Sequence, residues 1–232
     1  MKMKIQKNFS GAFTLIELLA VIAIIGVLAG FIIGGLGAAK KRQNITTATA
    51  ELKFIEDALE SYKLKYGSYP PGNQLSPSSV LPNPSMLPPL FYELSGLTLG
   101  GSLYTTLDGA AKIQVTGSPY SYLKNFNLTG ALNLSHGNGE DAKGAENFLP
   151  NLKSTMVGFA GTPSIGSAAI TTLRVLVTSV RGPDIGWQPL GFQDVNPFQY
   201  VYPGTNNPGS YDLWVELHIS GKTYIIGNWT AK

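Results

Sequence analysis

The sequence predicts an α+β chain in which one long N-terminal helix, half transmembrane and half amphipathic, packs on a C-terminal antiparallel β-sheet. Three observations predict it. Residues 18 to 39 are an apolar run of 22 residues without a charge. From Ile45 to Tyr66 apolar side chains recur at alternating spacings of three and four. The last third holds β-branched and aromatic runs separated by Gly, Pro and Ser turns. An amphipathic helix needs a cover for its apolar stripe, and a sheet with one apolar face supplies it. The chain divides accordingly into a leader (1–12), a transmembrane helix (13–39), its amphipathic continuation (40–66), an irregular connector and variable region (67–165) and a β-sheet region (166–232).

Composition narrows the function classes. The 232 residues suffice for one membrane helix and one soluble domain. With no cysteine, disulfides, thiolate-ligated zinc and thiol chemistry are excluded. The net charge of +3 comes from Lys2, Lys4 and Lys7; the rest of the chain balances 14 basic against 14 acidic residues. Nucleic acid is therefore not an expected partner, because it needs a clustered basic face. The early lysines speak instead to topology, since they hold that end of an apolar helix in the cytoplasm.

The leader, MKMKIQKNFSGA, is short and basic and ends in the small residues Ser10, Gly11 and Ala12. A secretory signal has its small-residue cleavage site after the apolar core. Here the small residues precede the core, so processing is expected on the cytoplasmic side, with the helix retained. At a rise of 1.5 Å per residue the uncharged run covers roughly 33 Å, enough to cross a bilayer. Glu17 lies one residue outside it. An acid at membrane depth costs about 2.5 kcal/mol or more and marks a functional site by default. Within the run Gly26, Gly30 and Gly34 recur every fourth residue, a stripe that lets helices approach closely. Gly34, Gly35 and Gly37 also make a weak patch, because glycine costs about 1 kcal/mol in a water-exposed helix. Lys40, Lys41 and Arg42 close the run and compete with the leader lysines for the cytoplasmic side.

The stripe of the second half consists of Ile45, Ala48, Leu52, Ile55, Leu59, Tyr62 and Tyr66, with Glu51, Lys53, Glu56, Asp57, Glu60, Lys63 and Lys65 over the rest. Gly67 and the pair Pro70-Pro71 end the helix. Residues 68 to 100 read as a connector, with a short helix after Pro89. Residues 101 to 165 are less legible: a strand is expected over 112–116 and a polar loop over 137–144, which carries Glu140 and Asp141. Strands are expected over 170–180, 198–202 and 211–219. The last of these turns at Ser220-Gly221-Lys222 into a returning strand, a β-hairpin.

The string GAFTLIELLAVIAIIGVLAG resembles the cleavage and methylation segment of type IV pilins and type II secretion pseudopilins. The strings Tyr-Gly-Ser-Tyr-Pro-Pro (66–71) and NPFQYVYPG…YDLW…GNW in the tail are similar to major pseudopilins. The resemblance implies a pilin-like fold and a prepilin peptidase that cuts between Ala12 and Phe13 and N-methylates Phe13. It places Glu17 as the fifth mature residue. Cutting after Gly11, where the family usually has its glycine, would make Glu17 the sixth. The implied role of Glu17 is assembly: its carboxylate pairs with the new α-amino group of a neighbouring subunit, two charges that are less costly in lipid together than apart. The implied partners are identical or related pseudopilin subunits, the peptidase, an inner-membrane assembly platform and membrane lipid. The implied location is the bacterial inner membrane, single-pass, with the N-terminus cytoplasmic and the C-terminal domain periplasmic.

Many major pseudopilins bind calcium in a C-terminal acidic loop. The matching stretch, Glu216 to Ile226, has one carboxylate, and Asp194 and Asp212 stand apart from it, so no cofactor is expected. His136 and His218 lack metal-type spacing, and no nucleophile, phosphate-loop or zinc-protease motif occurs, so no enzyme is expected. Three readings stand: a pseudopilus subunit for type II secretion; a type IV pilin for adhesion, motility or DNA uptake; and a membrane-anchored binding domain that never polymerises.

Overall fold

The computed structural model describes residues 14–70, 72, 90–100, 103–114, 133–135, 144–160, 173–182 and 195–230. It is an α+β chain, as the sequence predicts, and it comprises two compact units, residues 1–43 and 44–232. Helix α1, Leu15–Tyr66, contributes to both.

In the first unit the described residues after Thr14 belong to α1. Over the described residues 15–30 its apolar side chains are exposed all round, from Leu15 at 81% to Leu28 at 56%. Among the described residues no helix is long and apolar enough to cross a membrane. The side chains of residues 31–36, which fall inside the expected span 13–39, lie outside the described ones.

In the second unit α1 becomes one-sided. Ala48, Leu52, Ile55, Leu59 and Tyr62 are buried, and Ile45 and Tyr66 pack partly against the core. Spacings of three and four place these residues on one face of a helix with 3.6 residues per turn. Glu51 departs from the expectation that it covers the polar face: it is 7% exposed. It sits at the edge of the stripe, where its carboxylate accepts hydrogen bonds from the Thr178 hydroxyl (2.6 Å), the Ser179 N–H (3.0 Å) and the Ser179 hydroxyl. Gly67 ends α1 with a positive φ of 77°, and its N–H bonds the Lys63 carbonyl at 2.8 Å. Glycine suits this left-handed cap because it has no Cβ to clash.

Three small sheets form, where one antiparallel sheet was expected, and their buried residues join the stripe of α1 in one core cluster. The last comprises β8 (Gln199–Val201), β9 (Asp212–Ile219) and β10 (Lys222–Gly227), in the order β10-β9-β8 and antiparallel throughout. Ser220 and Gly221 take positive φ at the β9–β10 turn, the geometry a two-residue hairpin requires. Leu213, Val215 and Leu217 of β9 alternate into the core at 0% exposure. A second sheet runs β5-β6-β7, with β5 at Val157–Ala160, β6 at Leu173–Thr178 and β7 at Asn196–Pro197. The third lies within the stretch read as irregular. It comprises β1 (Leu97–Gly100), β2 (Leu103–Thr106), β3 (Lys112–Gln114) and β4 (Leu134–Ser135), in the order β3-β2-β1-β4. Its β1–β4 pair is parallel, Leu97 opposite Leu134, a departure from the antiparallel expectation. The short helix after Pro89 is α2, Leu90–Ser95, all six residues buried. From it the Glu93 carboxylate accepts bonds from the Tyr62 hydroxyl (3.1 Å) and the Asn133 N–H (3.2 Å), and so ties α2 to α1 and β4.

Candidate assembly site at the helix start and the C-terminal turn

The start of α1 is a reciprocal cap. The Glu17 carboxylate accepts hydrogen bonds from the Thr14 N–H (2.9 Å) and the Thr14 hydroxyl (2.7 Å), both at Oε2. The Glu17 N–H donates to Thr14 Oγ1 at 3.3 Å, and the Leu18 N–H to the Thr14 carbonyl at 3.2 Å. This is a capping box, in which a Thr and an acid three residues later satisfy donors that a helix end leaves unpaired. The acid also lies at the positive end of the helix dipole. Thr14 was not singled out from the sequence as a site residue, although the spacing Thr14-x-x-Glu17 signals the motif. Gly11, Ala12 and Phe13, the expected cleavage and methylation residues, lie outside the described residues. Gly26 and Gly30 are described, and nothing lies within 4 Å of a Cβ added at either, so this side of the helix is open to close approach. The side chain of Gly34 lies outside the described ones.

The second arrangement surrounds Asp212, just before the stretch 216–226 that matches the calcium loop of major pseudopilins. Asp212, 2% exposed, accepts hydrogen bonds from the N–H groups of Thr205 (2.7 Å), Asn206 (2.7 Å) and Asn207 (2.9 Å). The side-chain amides of Asn206 (3.1 Å) and Asn207 (3.2 Å) add two more. A cation needs oxygen ligands, whereas these donors present positive hydrogens to the carboxylate. The residues therefore do not fit calcium: Asp212 is already the anion of an N–H nest. Asp194 lies outside the described residues, and Glu216 is exposed on β9. Among the described residues no three acidic, His or Cys side chains are grouped to hold a metal. His218 Nδ1 lies 2.9 Å from the Thr223 hydroxyl across the hairpin; His136 lies outside the described residues.

An aromatic cluster fastens the turn to the end of α1. The Tyr200 hydroxyl donates to the Pro70 carbonyl at 2.7 Å, and Tyr69 meets the Tyr211 ring edge-on at 4.7 Å. Burial pushes the hydroxyls of Tyr200, Tyr211 and Tyr62 far above their ordinary pKa. Burial also raises Tyr92, to about 12.

Comparison with known proteins agrees with the N-terminal geometry. The prokaryotic N-terminal methylation motif matches residues 7–33. The chain is similar to the type II secretion system core protein G of Escherichia coli (strain K12), 40% identical over 78 residues, or 34% of this chain and 52% of that protein. The core protein G of Pseudomonas aeruginosa is 33% identical over 69 residues, 30% of this chain and 49% of the relative. The type IV wide pilus major component of Thermus thermophilus is 51% identical over 64 residues, 28% of this chain and 48% of the relative. The chain spans about half the length of the curated relatives it matches. No solved structure matches it.

Proposed function

We propose, with the methylation segment over residues 7–33 as the premise, that the chain is a structural subunit of a type II secretion pseudopilus. In this reading residues 13–39 anchor the precursor in the inner membrane, with the N-terminus cytoplasmic and the C-terminal domain periplasmic. Prepilin peptidase cuts between Ala12 and Phe13 and methylates Phe13. The processed subunit leaves lipid for a filament of identical or related subunits, built on an inner-membrane platform. Its role is mechanical, with no catalysis and no cofactor.

The observation that carries the proposal is Glu17 in the first turn of a helix whose described apolar side chains over residues 15–30 are exposed on every side. Such a surface needs lipid or other helices around it. An acid at its start is costly in lipid and is relieved by a cation from a neighbour. The similarity to the Thermus wide pilus component favours a type IV pilin as the second reading.

Intact-mass and N-terminal analysis of membrane-extracted protein tests the proposal. The expected chain starts at N-methylated Phe13. A chain starting at Met1 in cells with active prepilin peptidase refutes it and favours an anchor that never polymerises. A start at Ala12 retains peptidase processing and moves Glu17 to the sixth position. Glu17→Leu separates the readings further, because it impairs an assembling subunit and spares a simple anchor.

A further inference from the structure

Two side-chain amides fasten the C-terminal turn alongside Asp212. Asn228, the first residue after β10, reaches back to the start of β9. Its N–H donates to the Leu213 carbonyl at 3.0 Å, and its Oδ1 accepts from the Leu213 N–H at 3.1 Å. Its Nδ2 donates to the Tyr211 carbonyl at 2.9 Å. Asn207, in the turn before β9, approaches the same point from the other side. Its Nδ2 lies 3.2 Å from both the Tyr211 carbonyl and Asp212 Oδ1, and 3.3 Å from Asn228 Oδ1. The two amides join three stretches of chain: the turn at 205–207, the start of β9 and the residue that follows β10.

A cation joins such stretches by collecting oxygen ligands around one centre. Here each oxygen is taken up by donors instead. Asp212 Oδ2 accepts from the Thr205 and Asn206 N–H groups, and Oδ1 from the Asn207 N–H. The Tyr211 carbonyl and Asn228 Oδ1 accept two bonds each. An amide can serve both sides of such a junction because it carries a donor and an acceptor, whereas a carboxylate only accepts. The stretch 216–226 is held differently. Lys222 to Gly227 pair with Ile219 to Trp214 in one unbroken antiparallel register. Ladder carbonyls point across to the partner strand and do not converge on a centre. Glu216 stands opposite Ile225, so no second acid faces it across the ladder.

We infer that this clasp, Asn207 and Asn228 about Asp212, takes with the β9–β10 ladder the place of the calcium ion that many major pseudopilins bind at this stretch. The turn then forms, and the subunit assembles, without calcium. The part that concerns assembly rests on the proposed function.

Chymotrypsin reads the clasp directly, because Tyr211 and Trp214 are cleavage sites within it. The detergent-solubilised full chain is digested in EGTA or in millimolar calcium chloride, and the cuts are mapped by mass. Such cleavage follows local opening of the turn. The half-life of the bond after Tyr211 is expected to agree within twofold between the two conditions, and Asn228→Ala to shorten it at least fivefold in both. A half-life at least fivefold longer in calcium overturns the inference, and so does unchanged protection in Asn228→Ala. Where Asn228→Ala does not accumulate, Asn207→Ala is read in the same way, since it leaves the bonds of Asn228 to Tyr211 and Leu213 in place. In cells with active prepilin peptidase the unsubstituted chain is expected to give equal filament yield with EGTA or calcium in the medium. Filaments that form only with calcium overturn the inference and leave the proposed function standing. A processed chain that forms no filaments in either medium overturns the proposed function, while equal digestion in EGTA and calcium still upholds the clasp.

Discussion

Replacing Asp212 by Ala removes the anion around which the turn before β9 is wound. Three backbone N–H groups, those of Thr205, Asn206 and Asn207, lose their acceptor. A buried donor left unpaired costs about 1–3 kcal/mol. Thr205 and Asn206 are exposed residues, so water reaches part of the opened turn and the low end applies. Three donors at about 1 kcal/mol each give about 3 kcal/mol. For a unit of this size each kcal/mol lowers the melting temperature by about 2–4 °C, so the drop is about 6–12 °C. Circular dichroism melting of the detergent-solubilised full chain measures it. Asp57→Ala is the control: that carboxylate has 68% side-chain exposure and pairs with Lys53 at 3.1 Å, a surface ion pair worth about 0–1 kcal/mol. If Asp212→Ala melts within 2 °C of the unsubstituted chain, the nest does not stabilise the turn and the reasoning fails.

The same nest predicts indifference to calcium: chelator and millimolar calcium should leave the melting temperature unchanged, and a rise above 3 °C with calcium would show a bound cation. Glu51→Ala should lower stability by about 2–3 kcal/mol in urea titration, because it strands donors of Thr178 and Ser179 in a buried place. Alkaline titration should unfold the second unit steeply above pH 10. Tyr92 ionises near its ordinary value when unfolded and only at about 12 when folded, so the folded state holds the proton between them. Stability is then full below pH 10 and falls with rising pH by about 1.4 kcal/mol per unit from Tyr92 alone, with Tyr62, Tyr200 and Tyr211 steepening the loss. Tyrosinate absorbance that develops without loss of tertiary signal would contradict this.

What the sequence made legible follows from how long each pattern is. The stripe of α1 repeats over some twenty residues, and only one face of one helix satisfies it. Strands β6 and β9 run six and eight residues, long enough for β-branched composition or alternation to show. Strands β1 to β4 run two to four residues, and β1 pairs with β4 across more than thirty residues of chain. Such short segments have no period, and their pairing is a tertiary fact. Asp212 looked isolated because its partners are main-chain N–H groups, which no residue type announces. Glu51 looked like a surface acid because it borders the stripe, and only the turn at 178–179 makes its burial tolerable.

These acids also bear on the assembly role proposed for Glu17. Asp212 and Glu51 are buried, and both oxygens of each carboxylate are engaged by donors of the same chain. Their burial keeps a partner away, and exposing them would break the turns they hold. Glu17 is exposed, and its two bonds to Thr14 both fall on Oε2. Among the described residues Oε1 accepts no hydrogen bond, so the cap can persist while a cation from another subunit approaches the second oxygen. In the proposed assembly, helix capping and pairing with a neighbour would draw on different oxygens of one carboxylate. The cap fixes the orientation of that carboxylate at the helix start, where a neighbour's α-amino group would have to find it.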